Sequence, residues 1–405
     1  MIAIEDARQA VLDLCSALTP QLTSCEVMSG RVLAQDVVAT ENVPPFANSA
    51  VDGYAVRAED VETVPSELRV IGTLAAGSAD SFRLSKGEAV RIMTGAPIPD
   101  NADAVVMVED SEQIDGARVR LTRPARQSQA IRAEGSDVRI GDTVFVAGSV
   151  LNAAGAGVLA SINTRTVLAY PPARVALLST GDELVIDGSP LLPGQIRESN
   201  LTMLDAMLEE TGCEVLNLGI IADDEDLLER TLRDVSGRCD AIVTSGGVSM
   251  GDFDVVKAVL SRIAQMKWMQ LAIKPAKPFA FGQLVASDGR TIPIFGLPGN
   301  PVSSLISFEL LARPALRKLM GHSKDLIRPT VRAIVDSPIQ RKKDGKLHFV
   351  RVFGSFHPDG RLHVRDTGPQ GSHQLAATAM ANGLAVVADG DGVAVGGEVD
   401  ILMLA

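Results

Sequence analysis

Residues 245–254 read SGGVSMGDFD, with small residues that can turn backbone N–H groups toward a ligand followed by two carboxylates, Asp252 and Asp254. Amide donors suit an anion, whereas carboxylates repel one unless a cation lies between. Two further stretches have the same character. RVALLST runs into Thr180-Gly181-Asp182-Glu183, and IPIF runs into GLPGNPVSS, which contains Pro298, Gly299, Asn300, Pro301 and Ser303. Ser245, Gly246, Gly247 and Ser249 in the first stretch, with Gly299 and Asn300 in the last, are expected to present amides, and the following helix to add its positive end. No G-x-G-x-x-G or G-x-x-x-x-G-K-[ST] string occurs, which excludes the dinucleotide and P-loop templates.

Amides alone hold an anion weakly. A helix end contributes roughly 0.3–1 kcal/mol toward a charge, whereas a cation at about 4 Å contributes about 4 kcal/mol at an effective dielectric near 20. The segment AIKPAKPFAFG supplies such cations in Lys274 and Lys277, and Pro275 and Pro278 beside them fix the backbone. The carboxylates available are Asp182, Glu183, Asp223, Asp224, Asp252 and Asp254. Oxygen ligands without sulfur or imidazole point to Mg²⁺ or another divalent cation bridging carboxylate to phosphate. An acidic residue ahead of a helix also fits an N-cap, as Asp254 before VVKAVL would.

The elements that position these loops are buried-type strands (RVALLST, AIVTSG, IPIFGLPG) alternating with helical patterns. That rhythm predicts a parallel sheet covered on both faces. Ligands of such sheets bind beyond the carboxyl ends of the strands, where strand order reverses, so the three loops are expected to share one crevice. The fold class is multi-domain, α/β plus β. An elongated N-terminal lobe is expected over 1–42 and 148–170, a β-rich insert over 43–147, the α/β domain over 171–322 and a C-terminal β-barrel over 323–405. KKDGKL and HPDGRL are the hairpin signals of that barrel. In the N-terminal half, Asp52 in NSAVDGYAV, Thr94 in RIMTGAPIP, and Arg132 and Asp137 in IRAEGSDV stand at turns, and spacing alone gives them no further role.

The 405-residue chain is 46% hydrophobic and 22% charged, the balance of an ordinary globular protein. Only 3% of residues are aromatic and the net charge is -12, which argues against a nucleic-acid partner. The four cysteines form no C-x-x-C pair, which fits a reducing cytoplasm. No run of about 18 apolar residues occurs to span a membrane, and the N-terminus reads as an amphipathic helix, not a signal peptide.

The strings PPFANSAVDGYAV, RIMTGAPIPDNADAVV, IRAEGSDV, LLSTGDEL, GQIRESN, SGGVSMGDFD, IKPAKPFAFG and GLPGNPVS together resemble the molybdopterin molybdenumtransferase family, the MoeA and gephyrin E-domain type. The resemblance implies a molybdopterin-binding α/β domain and insertion of molybdate into adenylylated molybdopterin. AMP would leave, Mg²⁺ or another divalent cation would be required, and molybdate would be a substrate. It also implies a homodimer whose site is shared between subunits, with the molybdopterin adenylyltransferase as a further partner. Asp52, Thr94, Asp137, Glu183, Asp223 and Asp254 then become catalytic candidates, with Asp223 and Asp254 at the metal. Arg132, Thr180, Gly181, Asp182, Lys274, Lys277, Ser372 and the loop residues above become substrate-binding candidates. A non-catalytic molybdopterin-binding scaffold is the alternative, and an adenylyltransferase is disfavoured by the long N-terminal lobes. The chain departs from the family pattern at Gln270, where lysine is common, at Ser136 for glutamate and at Glu198 for aspartate. Loss of the cation at Gln270 is expected to weaken molybdate or phosphate binding.

Overall fold

The computed structural model describes residues 1–247 and 255–404. They form two compact units: one comprises Met1–Gln21, Gly30–Ala34 and the chain from Ala169 onward, the other Leu22–Ser29 and Gln35–Leu168.

The first unit is built on a six-stranded sheet. Its strands are β1 (Arg174–Thr180), β2 (Glu214–Ile221), β3 (Ala241–Ser245), β4 (Ala264–Gln270), β5 (Pro278–Val285) and β6 (Thr291–Leu297). Their order is β2-β1-β3-β6-β5-β4. The first four of that row are parallel. β5 and β4 are antiparallel, so the sheet is mixed where a parallel one was expected. The cause is the link between β4 and β5: LAIKPAKP contains no helix, and a parallel return requires a longer crossover.

Alternate residues of β1 and β3 enter opposite cores, as the two-residue strand period requires. Val175, Leu177, Ala241 and Val243 face one side, where helix α1 (Asn200–Thr211) packs through Leu201, Leu204 and Leu208. Ala176, Leu178 and Ile242 face the other, against α2 (Glu225–Ser236) and α3 (Val255–Ile263). β6 runs into α4 (Pro301–Ser307).

The N-terminal helix, Ile4–Leu12, also belongs to this unit. Ile4, Ala7 and Val11 lie at helical spacing on its buried face and join the α1 side of the core. Arg8 Nε donates to the Leu310 carbonyl at 3.0 Å and Lys318 Nζ to that of Leu12 at 2.7 Å. The first 21 residues thus go with the α/β sheet and depart from the lobe expected over 1–42.

Toward the C-terminus, Thr330–Val335, Leu347–Phe356, Leu362–Asp366, Gly383–Val387 and Glu398–Met403 close into a five-stranded barrel. Val335, Val352, Val364, Ala385 and Ile401 fill it. HPDGRL forms the expected hairpin, with Phe356 opposite Leu362 and Gly360 at φ +78°. KKDGKL does not: Ile339–Gln340 pairs instead with Gly392–Val393. Asp344 is drawn away from turn duty by Arg341 (3.0 Å) and His348 (3.1 Å). One extra segment, Ile273–Lys274, pairs parallel to Leu347–His348 and carries the β4–β5 link onto the barrel.

The second unit holds another six-stranded sheet, with Gly53–Val56 between Ala104–Met107 and Glu88–Ile92. LNAAGAGVLASI forms a helix over Ala153–Ser161, capped by Asn152, whose Oδ1 accepts from the Gly155 N–H at 2.9 Å. Among the described residues, no helix is long and apolar enough to cross a membrane.

Candidate active site

In the first unit the chain passes from β1 to β2 on one side, then returns past β1 to β3 on the other. Strand order therefore reverses between β1 and β3, and β6 lies next to β3. The loops leaving these three strands wall one cavity of about 670 Å³. Thr180, Gly181, Glu183, Ser245, Gly246, Gly247, Pro298, Gly299, Asn300 and Pro301 line it, and Asp223 joins them from the end of β2.

Side chains tie the loops together. Asn200, 7% exposed, donates from Nδ2 to Ser245 Oγ and to the Gly299 carbonyl, both at 2.8 Å. Glu198 accepts from the Ser179 hydroxyl at 3.0 Å and from the N–H groups of Asn200 and Leu201, capping α1. Gly246 sits at φ +91°, and a Cβ there would lie 3.2 Å from the Thr180 carbonyl, so only glycine suits the approach. Asn200 was missed by sequence reasoning, although RESN ahead of a helical run carries the signature of a helix start.

Four expectations need correction. The Gly246 N–H is not turned to the cavity but donates to the Leu297 carbonyl at 3.1 Å, binding the second loop to β6. The start of α4 is also engaged, since Pro301 has no N–H and that of Val302 donates to the Ser372 carbonyl at 3.1 Å. Asp224 is the N-cap of α2, accepting from Leu227 N–H at 2.8 Å. Asp182 does not line the cavity; its Oδ1 accepts from the Asp223 N–H at 3.2 Å and orders that neighbour. Ser249, Asp252 and Asp254 lie outside the described residues.

The lysines occupy an adjoining space. Lys274, Lys277, Ser303 and Ser372 line a second cavity of about 850 Å³, and Pro278 lines both. Arg341, Lys342, Lys343 and Lys346 add four cations to the two lysines, against the carboxylates of Asp344 and Asp366. Burial pushes the His348 imidazole there below its ordinary value, and Arg341 and Lys274 act the same way while Asp344 opposes them. Gln270 is the residue of β4 paired with Pro278, which lines both cavities, though Gln270 itself lines neither.

The loop carrying Ser372 is held from beneath by Arg351, 1% exposed. Its guanidinium donates to Gln370 Oε1 (3.0 Å), to the carbonyls of Pro369 (2.9 Å), Gly371 (3.1 Å) and Gln374 (3.2 Å), and to Thr378 Oγ1 (3.0 Å). A single charge inside the apolar run FVRVF was the available signal, and it went unread.

The second unit gathers its own strings. Thr94 donates to Asp52 Oδ1 from its N–H at 2.7 Å and its hydroxyl at 2.9 Å. The Thr94 amide, then its hydroxyl, and Arg91 nearby hold the Asp52 carboxyl below the usual carboxylate range. Asn48–Ser49 pairs antiparallel with Ile131–Arg132, setting Arg132 opposite Asn48, while the Ser49 carbonyl accepts from the Gly95 N–H at 2.9 Å. Asp137 is tied to this edge through its N–H, which donates to the Val43 carbonyl at 2.9 Å. Asp52, Thr94, Arg132 and Asp137 are all exposed.

A crevice at the switch point of a doubly wound sheet, beside a cavity rich in cations, defines an α/β protein of the type that seats an anionic cofactor at its strand ends. Family models match in chain order: "MoeA N-terminal region (domain I and II)" over residues 2–163, "Probable molybdopterin binding domain" over 176–318 and "MoeA C-terminal region (domain IV)" over 333–404. The molybdopterin molybdenumtransferase of Haemophilus influenzae is 37% identical over 383 residues, covering 94% of this chain and 93% of that protein. Molybdopterin molybdenumtransferase 2 of Mycobacterium tuberculosis is 36% identical over 395 residues, covering 95% of each. Two solved structures of the molybdopterin biosynthesis MoeA protein of Pyrococcus horikoshii match with TM-scores of 0.79 and 0.80, at 30% and 27% identity, each over 100% of this chain and at least 99% of theirs. The chain belongs to the molybdopterin molybdenumtransferase family.

Proposed function

We propose that this protein inserts molybdate into adenylylated molybdopterin, releasing AMP and yielding molybdenum cofactor. The observation that carries the reading is the pair of adjoining cavities: one walled by glycine- and serine-bearing loops with carboxylates at its rim, the other lined by six cationic side chains in a chain of net charge -12. The first suits the pterin phosphate and the second a tetrahedral dianion such as molybdate. Lys274 and Lys277 would neutralise that dianion and the phosphoanhydride beside it, and the Ser303 and Ser372 hydroxyls would donate to its oxygens. The dithiolene sulfurs of the pterin would ligate molybdenum, which asks no cysteine of the protein.

Asp182, Glu183 and Asp223 offer oxygen donors only, at or beside the cavity, and such a set fits Mg²⁺. Glu183 and Asp223, with Asp254, are the residues assigned to hold it. When bound, the ion supplies positive charge that lets carboxylate and phosphate lie side by side. Asp52, whose proton affinity Thr94 lowers, is assigned to position the attacking oxygen or take up its proton, with Asp137 and Arg132 as further candidates in the same compact unit. We assign the reaction to a homodimer with a site shared between subunits; Asp52 and Lys274 belong to different compact units of the chain. The adenylylated substrate would come from a molybdopterin adenylyltransferase. Four free thiols fit the reducing cytoplasm as its location.

The test mixes purified protein with adenylylated molybdopterin, Mg²⁺ and molybdate and follows AMP. Molybdate-dependent release is expected. Tight pterin binding with no molybdate-dependent AMP would overturn the reading in favour of a scaffold.

A further inference from the structure

The C-terminal barrel carries a cluster of side chains that lines neither cavity. Asp336 follows the strand Thr330–Val335, His357 follows Leu347–Phe356, and His363 lies in Leu362–Asp366. The backbone fixes all three. His363 is paired with Ile334 on one side and Ser355 on the other, the Asp336 N–H donates to the Val364 carbonyl at 2.8 Å, and the His357 N–H to that of Arg361 at 3.0 Å. One ligand atom from each of Asp336, His357 and His363 lies within 4.8 Å of the others.

The charge in this cluster does not close with neutral imidazoles. His363 Nδ1 is 2.7 Å from Asp336 Oδ1 while its Nε2 is 3.1 Å from Asp359 Oδ2. A neutral imidazole has one N–H and can donate to only one of two carboxylates. With the proton on Nε2, facing Asp359, the Nδ1 lone pair meets the Asp336 oxygen unless a second proton or a metal ion lies between. His357 Nε2 is 3.9 Å from the other Asp336 oxygen, and its ring stacks on His363 at 4.0 Å. Its side chain is 42% exposed and can swing out of the stack.

We propose that Asp336, His357 and His363 form a binding site for a borderline divalent transition-metal ion of the zinc, cobalt or nickel class, with Asp359 orienting His363 from behind. Two imidazole nitrogens and one carboxylate select this class over Mg²⁺ or Ca²⁺. Bonds of about 2.0–2.1 Å to nitrogen and oxygen place tetrahedral ligands roughly 3.3 Å apart, so binding an ion requires the 2.7 Å His363 Nδ1–Asp336 Oδ1 pair to open slightly and His357 Nε2 to turn inward from 3.9 Å. A water completes the shell. The carboxylate–histidine–metal arrangement fixes the tautomer, Asp359 taking the Nε2 proton and leaving Nδ1 for the ion. Bound there, the ion clips the ends of three barrel strands and adds binding energy to the folded state.

The full-length protein, stripped with a chelator and held in excess Mg²⁺ to fill oxygen-only sites, is titrated with Co²⁺ and followed by visible absorption. One equivalent of Co²⁺ should develop ligand-field bands, which Zn²⁺ then abolishes, and the melting temperature should rise with the metal. His363→Ala and His357→Ala should each remove the bands, and in His357→Ala, where the side chain is 42% exposed, melting without metal should stay unchanged. Asp359→Asn should weaken Co²⁺ binding by about ten- to a hundredfold. Absence of bands in the unsubstituted protein, or equal Co²⁺ affinity in His363→Ala, overturns the proposal. AMP release is independent of this outcome, so the two tests fail separately.

Discussion

The proton affinity of Asp52 is lowered mainly by one neighbour. Two donors from Thr94 converge on one oxygen and lower the proton affinity of the carboxyl, so it stays ionised through neutral pH and into the mildly acid range. Asp52→Asn keeps the shape and removes the charge. Single-turnover AMP release should slow by about a hundredfold, the lower range for a lost proton acceptor, with pterin affinity unchanged in an equilibrium titration. A parallel loss of binding would place Asp52 in substrate capture instead. His322 gives the opposite lesson, a titrating group with a structural consequence. It is 7% exposed, its Nδ1 meets the Arg317 guanidinium at 3.2 Å, and burial with the charges of Arg317 and Arg313 pushes its pKa down to about 4. The unfolded chain binds this proton near pH 6.5 and the folded chain does not, so the stabilisation is present above about 6.5 and is lost as pH falls toward 4. At pH 5 the loss amounts to about 2 kcal/mol relative to pH 7.5. Urea unfolding at both values should show this difference, and His322→Gln should remove it.

At the scale of elements, the sequence was most legible where strands are buried on both faces. RVALLST, AIVTS and IPIFGL are apolar runs that stop abruptly at glycine or proline, so both the strands and the loops that meet at their ends could be read, and the three loops do line one crevice. What sequence hid were contacts between segments distant in the chain. KWMQ alternates weakly, and its neighbour IKPAKP was read for its lysines, not as the link that makes β4 and β5 antiparallel. The docking of Ile4–Leu12 depends on a face that only the α/β core completes. Spacing alone gave Asp52, Thr94, Arg132 and Asp137 no role beyond turns, because what joins them is strand pairing between separate strings. Arg351 was hidden for a similar reason: its meaning lies in the carbonyls of a loop some twenty residues on. It places a charge in the interior whose acceptors are amide, carbonyl and hydroxyl oxygens, and those bonds hold the loop of Ser372. Arg351→Met should cost on the order of 3 kcal/mol, since several buried acceptors lose their donor. It should also raise the KM for molybdate more than that for the pterin. An urea midpoint shift without any change in molybdate KM would confine Arg351 to stability.

Over the whole molecule, net charge and composition argue against nucleic acid as a partner, but they concealed the basic cavity because it is a local exception in an acidic chain. The candidate residues are divided in the same uneven way, with Asp52 and Arg132 in one compact unit and Lys274, Glu183 and Ser372 in the other. A site assembled across a two-fold dimer makes a prediction that a site within one subunit does not. Asp52→Ala and Lys274→Ala chains, each inactive alone, can be co-expressed with different tags and purified through both, so that every molecule carries one of each. If a subunit's first unit works with its partner's second, one of the two sites in that heterodimer combines an intact Lys274 with an intact Asp52, and the other carries both lesions. AMP release should then recover to about half that of the unsubstituted dimer. With a site inside each subunit, both remain defective and no recovery follows. Activity at the level of the single variants would therefore sink the shared site, while failure to recover any doubly tagged protein would sink the dimer itself.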